Sequence, residues 1–111
     1  MDFKDALEKV DEYEREVKKR TDKWDNENLK REVILAKTVK LGEEVGELND
    51  EILKQLGFLR EGKVALRENL EDEFGDVLIT LFGVSKSLGV DLEKAFFNKV
   101  QKVIDREKSY R

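Results

Sequence analysis

Not one of the 111 residues is proline, and that absence constrains the fold more than any motif does. Proline is the strongest helix breaker, because its ring removes a backbone donor and clashes with the preceding turn. A chain without it, rich in Glu, Lys, Leu and Arg, favours helix along most of its length. Period-two alternation, the mark of a half-buried strand, is hard to find anywhere. The expected class is all-α.

The apolar residues divide that helical chain. Phe3, Leu7, Val10, Tyr13 and Val17 step by three or four and form one stripe of a first helix. Thr21 to Asn26 interrupts the pattern, and its Asp and Asn residues suit caps for the next helix. Within this stretch Trp24 reads as a packing staple or a stacking surface for a base. Ile34, Leu41, Val45, Leu48, Ile52 and Leu56 then fall within about 80° on a wheel of 100° per residue. Gly57 to Gly62 reads as a C-cap and loop. A third helix carries Leu70, Phe74, Val77, Leu78, Leu81, Phe82 and Leu88. Its second half is apolar nearly all round, which calls for another subunit or a tightly surrounded central position. Gly89 suits the residue after that helix, and Asp91 the N-cap of a last one bearing Leu92, Ala95, Phe96, Val100 and Val103. The expectation is a single domain over 1–111, a four-to-five-helix bundle that dimerises through its central helices.

Charge and missing residue types narrow the chemistry. Charged residues make up 43% of the chain, against about 25% in an average domain. The balance is acidic, 22 basic against 26 acidic residues for a net charge of −4, so nucleic acid is not an expected partner. No Cys is present, which removes thiol nucleophiles, disulfides and thiolate zinc sites. No His is present either, so imidazole cannot serve as base or ligand. Acid–base or metal chemistry must run on carboxylates and water. The first residues show no basic-then-apolar leader, and Val77 to Val84 is too short to span a bilayer. A cytoplasmic protein without membrane contact is expected.

The carboxylates are not scattered. Glu43, Glu44 and Glu47 share one side of the second helix, and Glu73 and Asp76 repeat the i, i+3 spacing on the third. Both sets flank the core stripe, so antiparallel packing could turn them toward each other. Like charges gathered this way repel and lose hydration, and a divalent cation would resolve the conflict. With oxygen ligands alone, Mg²⁺ or Mn²⁺ suits the set better than zinc or iron. A solvated acidic face is the bland alternative. Against it stands the placement of Glu73 and Asp76 at the opening of an apolar run, where Thr80, Gly83 and Ser87 continue a narrow polar or small stripe suited to a pocket wall or to close helix packing against Gly83. On the last helix Lys99, Lys102 and Arg106 share a face that could hold phosphates or simply stay in water. Lys37 and Lys40, one or two turns before the acids, read first as ion-pair partners and second as phosphate ligands.

Lys40-Leu41-Gly42-Glu43-Glu44-Val45-Gly46-Glu47-Leu48, then Glu73-Phe74-Gly75-Asp76-Val77-Leu78, resembles the EExxE…ExxD signature of MazG-like nucleoside triphosphate pyrophosphohydrolases. Ala95, Lys99, Lys102 and Arg106 resemble that family's C-terminal substrate motif, although Val103 stands where relatives often carry Asn. The likeness covers about residues 29 to 106 and leaves out the first helix. It implies an all-α protomer working as a homodimer or dimer of dimers, with Mg²⁺ (or Mn²⁺) as cofactor and a nucleoside triphosphate as substrate. Cleavage would fall between the α and β phosphates. By position it implies Glu44, Glu47, Glu73 and Asp76 as metal ligands. Glu43 and Glu44 would carry the catalytic role, Glu43 as a further ligand or by orienting water. Lys40, Lys99, Lys102 and Arg106 would bind substrate. Two other readings stand beside it. One is the related phosphoribosyl-ATP pyrophosphohydrolase, whose second motif has an Ala-Asp pair and a later His that this chain lacks. The other is a non-catalytic helical scaffold with solvated acids.

Overall fold

The computed structural model describes residues 2–20, 27–58 and 65–110, with side chains in the second segment from Lys30 onward. Thr21–Asn26, with Trp24, and the Gly62 end of the second loop lie outside these residues. Four α-helices and no strands are present among the described residues: α1 (Phe3–Arg20), α2 (Glu27–Gln55), α3 (Arg67–Ser87) and α4 (Leu92–Lys108).

Local chemistry sets the ends of these helices. Asp2 and Asp5 bracket the first turn of α1, the Asp5 amide donating to the Asp2 carboxylate at 2.9 Å. α2 and α3 close in the same way. At Gly57 (φ +92°) the Phe58 amide donates to the Leu53 carbonyl at 2.9 Å, and at Gly89 (φ +69°) the Val90 amide donates to the Ser85 carbonyl, also at 2.9 Å. Only glycine enters that left-handed region without a Cβ penalty, so each helix is stopped where its glycine falls. Asp91 caps α4 by accepting from the Lys94 amide at 3.0 Å.

α2 and α3 pack antiparallel along their length, and this hairpin is the main body of the fold. Its register shows in two cross-links. The Gln55 amide donates to the Leu66 carbonyl at 2.9 Å at one end, and the Lys37 ammonium donates to Ser87 Oγ at 2.8 Å at the other. α1 lies against α3, where Val10 and Phe82 are buried. Phe3 meets Phe82 edge-on at 5.8 Å and also reaches Phe96 and Phe97, so one aromatic cluster joins α1, α3 and α4.

Coverage is thin elsewhere. No residue of α4 is buried, and Phe74, Leu78 and Ile79 of α3 keep 43–53% of their surface exposed. The radius of gyration is 17.5 Å, against about 13 Å for a compact chain near this length. The expectation that α3 is surrounded on several sides is met on only part of its circumference within one chain. Tyr13, placed in the core stripe of α1 by its spacing, is 55% exposed. It lines a cleft instead.

Candidate functional site

The site follows from the register of the α2–α3 hairpin. Glu44 and Glu47 leave the flank of α2, and Glu73 and Asp76 leave the matching flank of α3, so antiparallel packing brings both pairs to one side of the seam. One carboxylate oxygen from each of Glu44, Glu47 and Glu73 lies within 4.8 Å of the others. Glu44 is buried, Glu73 half-buried and Glu47 exposed. Asp76 is outside this trio but lines the same cleft as Glu44. Glu43 stays apart, its side chain 60% exposed and 3.9 Å from Lys40.

Three acids along the seam lack full compensation. Glu44 Oε2, Glu51 Oε2 and Glu73 Oε2 are buried without a hydrogen-bond partner. Burial, then the charges of Glu47, Asp76, Glu44 and Glu51, hold the Glu73 carboxyl above its ordinary range. Lys40 lies 3.0 Å from Glu44 Oε1, and that hydrogen-bonded pair raises the Lys40 ammonium. Unpartnered carboxylate oxygens cost desolvation that positive charge can offset, and an all-oxygen donor set fits a hard divalent cation. The residues present therefore suit such an ion.

Beside the acids opens a cleft of about 670 Å³, a size typical of small-molecule sites. Glu44 and Asp76 line it, and Tyr13, Val17, Ile34 and Ile79 supply apolar walls. Thr80, Gly83 and Ser87 all line it as well, as a pocket wall requires. The glycine has a specific neighbour: a Cβ on Gly83 would come within 3.0 Å of Glu14 Oε1. Glu14 is in turn held by Lys37 at 3.2 Å and Lys86 at 3.3 Å, while Lys86 also pairs with Asp11. Lys37 and Lys40 thus act as ion-pair partners. Lys99, Lys102 and Arg106 are exposed on α4 and do not line this cleft.

Residues 34–110 match the model of the MazG nucleotide pyrophosphohydrolase domain. This chain belongs to that family. Searches of curated proteins and of solved structures each returned no match. The MazG match starts within α2, so α1, which forms one wall of the cleft, lies outside it. Glu14 and Tyr13 carried no motif, and only tertiary packing reveals them. Glu51 was visible in principle, seven residues after Glu44 and thus about 20° from it around the helix. No described helix is long and apolar enough to cross a membrane.

Proposed function

We propose that this MazG domain hydrolyses a nucleoside triphosphate to the monophosphate and pyrophosphate, with Mg²⁺ as its cofactor and Mn²⁺ as a substitute. The observation that carries the reading is the convergence of Glu44, Glu47 and Glu73 within 4.8 Å, on the signature positions of a nucleotide pyrophosphohydrolase domain. These three and Asp76 would hold the cation. Bound there, a divalent cation supplies charge neutralisation for the phosphates and lowers the pKa of water.

The remaining work falls to the chain. A triphosphate carries about four negative charges, so the acidic seam repels it unless cations intervene. Water adds to the α-phosphorus, the bond from that phosphorus to the bridging oxygen breaks, and pyrophosphate leaves. A carboxylate of the Glu43–Glu44 pair accepts the water's proton. The apolar walls of the cleft accommodate the nucleoside and exclude water from it. Lys99, Lys102 and Arg106 bind phosphate as a cationic face. Their position outside the cleft of their own chain supports delivery of α4 by a second copy, in a homodimer or dimer of dimers. The uncovered flank of Phe74 and Leu78 and the extended shape of one chain support the same assembly. A nucleotide-pool role in the cytoplasm fits such a reaction.

The test is a panel of canonical and damaged NTPs and dNTPs with Mg²⁺, reading pyrophosphate against orthophosphate. Pyrophosphate with a monophosphate is the expected result, and the preferred base names the substrate. Orthophosphate alone overturns the cleavage position. No product from any nucleotide, with no thermal shift on adding Mg²⁺, returns the domain to a scaffold role. Sedimentation at micromolar concentration tests the assembly, a monomer being the result against it.

A further inference from the structure

The acidic line of α2 continues past the signature. Glu51 returns to the flank of Glu44 two turns further along, and it is 8% exposed where Glu44 is 6%. An ionised carboxylate is rarely that deep without compensation. Its Oε1 lies 3.4 Å from Lys54 Nζ, but that ammonium also serves Asp50 at 3.2 Å. Its Oε2 is buried and has no hydrogen-bond partner.

The hairpin register shows what Glu51 faces. With Gln55 opposite Leu66 and Lys37 opposite Ser87, Glu51 falls opposite the turn of α3 that holds Leu70 and Glu73. Glu73 Oε2 is likewise buried and unpartnered, and after burial and the charges of Glu47, Asp76 and Glu44, the charge of Glu51 also holds the Glu73 carboxyl up. A cation at the Glu44–Glu47–Glu73 group leaves the Glu51 oxygen unanswered, because Glu51 is not part of that group. A carboxylate has two oxygens and can serve two cations, and Glu73 stands between the two sets.

Resting on the metal-site reading above, we propose that Glu51 is a ligand for a second divalent cation, which shares Glu73 with the first and sits toward the Leu66 end of the α2–α3 seam. The signature alone does not include this residue. A second ion there brings the positive charge of the site nearer to that of a triphosphate.

The experiment is a Mn²⁺ titration of the nucleotide-free protein, followed by electron paramagnetic resonance and by calorimetry, for wild type and Glu51→Gln. Wild type is expected to bind two ions per chain. Glu51→Gln is expected to keep the tighter one and to weaken the other at least about tenfold. One ion bound equally by both proteins overturns the second position and leaves the single-cation enzyme standing. No ion bound by wild type overturns the metal reading itself. Thermal melting supplies an independent readout. If Glu51 awaits a cation, Glu51→Gln raises the metal-free melting temperature and shrinks the rise produced by Mn²⁺. If its role ends at Lys54, the same substitution lowers the metal-free value and leaves that rise unchanged, which overturns the proposal.

Discussion

The α2–α3 hairpin and α4 draw on the same kinds of residue and meet opposite circumstances. The hairpin packs against itself along two long helices, and its packing brings Glu44, Glu47 and Glu73 together, with Asp76 and Glu51 near enough for their charges to act on Glu73. α4 has the stronger segregation of apolar and charged faces, yet none of its residues is buried, and an aromatic cluster at Phe96 and Phe97 attaches it to the rest. A long antiparallel seam fixes side chains to a fraction of an ångström because many contacts must agree at once. An arm held at one end fixes only its root. Groups that must meet a cation at defined distance belong on the first kind of element, and groups that gather diffuse phosphate charge can ride on the second.

The largest test of that contrast is on the seam. Glu47→Gln or Asp76→Asn should lower turnover on the order of 10²–10³-fold or more, as loss of a group stabilising developing charge does. Circular dichroism should be unchanged, and full activity with Mg²⁺ present would show that the seam is only scaffold. Next comes the joint between the regions. Phe82 is 2% exposed and is the ring on which Phe3 rests, so Phe82→Ala should cost about 3–5 kcal/mol in denaturant unfolding. A loss under 1 kcal/mol would mean that α1 and α4 are held by something other than this cluster.

On the arm the effect should be smaller and of a different kind. Arg106→Ala should raise the KM for triphosphate up to about tenfold, a difference near 1.4 kcal/mol, with metal affinity unchanged. Kinetics matching wild type would make the basic face of α4 mere surface. The smallest effect is on stability against pH. Glu73 binds its proton more tightly in the fold than in the unfolded chain. Its contribution to metal-free stability is therefore full at pH below the ordinary carboxylate value and is lost as pH rises through the raised value of Glu73. Mg²⁺ should flatten that decline in thermal melts, because it favours the ionised form. A flat metal-free profile would mean that Glu73 has water it does not share with the seam.

Much of this was legible in the sequence, and the gaps have physical causes. Helix identity came through because a proline-free chain with apolar steps of three and four leaves little choice. Gly89 was readable as the end of one helix and Asp91 as the start of the next because each acts within its own turn. The pairing of Glu44 and Glu47 with Glu73 was inferable from flank positions alone. Glu43 is harder. One residue is 100° of rotation, enough to turn its side chain to solvent beside a buried Glu44. Tyr13 and Glu14 sit in an ordinary amphipathic pattern, and nothing in α1 announces the helix it will meet. The stance of α4 depends on contacts between elements distant in sequence, which periodicity does not encode.

The wall formed by α1 has a consequence for how such a protein can diversify. It supplies no carboxylate to the acid trio, and it meets the hairpin through the Asp11 and Glu14 pairs, Val10 and one aromatic anchor. Residues such as Tyr13 and Val17 can therefore be exchanged, and the outline of the cleft redrawn, while the reacting centre keeps its geometry. One wall of the cleft and the acid trio thus lie on separate stretches of chain, so a lineage can reshape that wall over the first eighteen or so helical positions while the hairpin keeps the acids and the opposite wall.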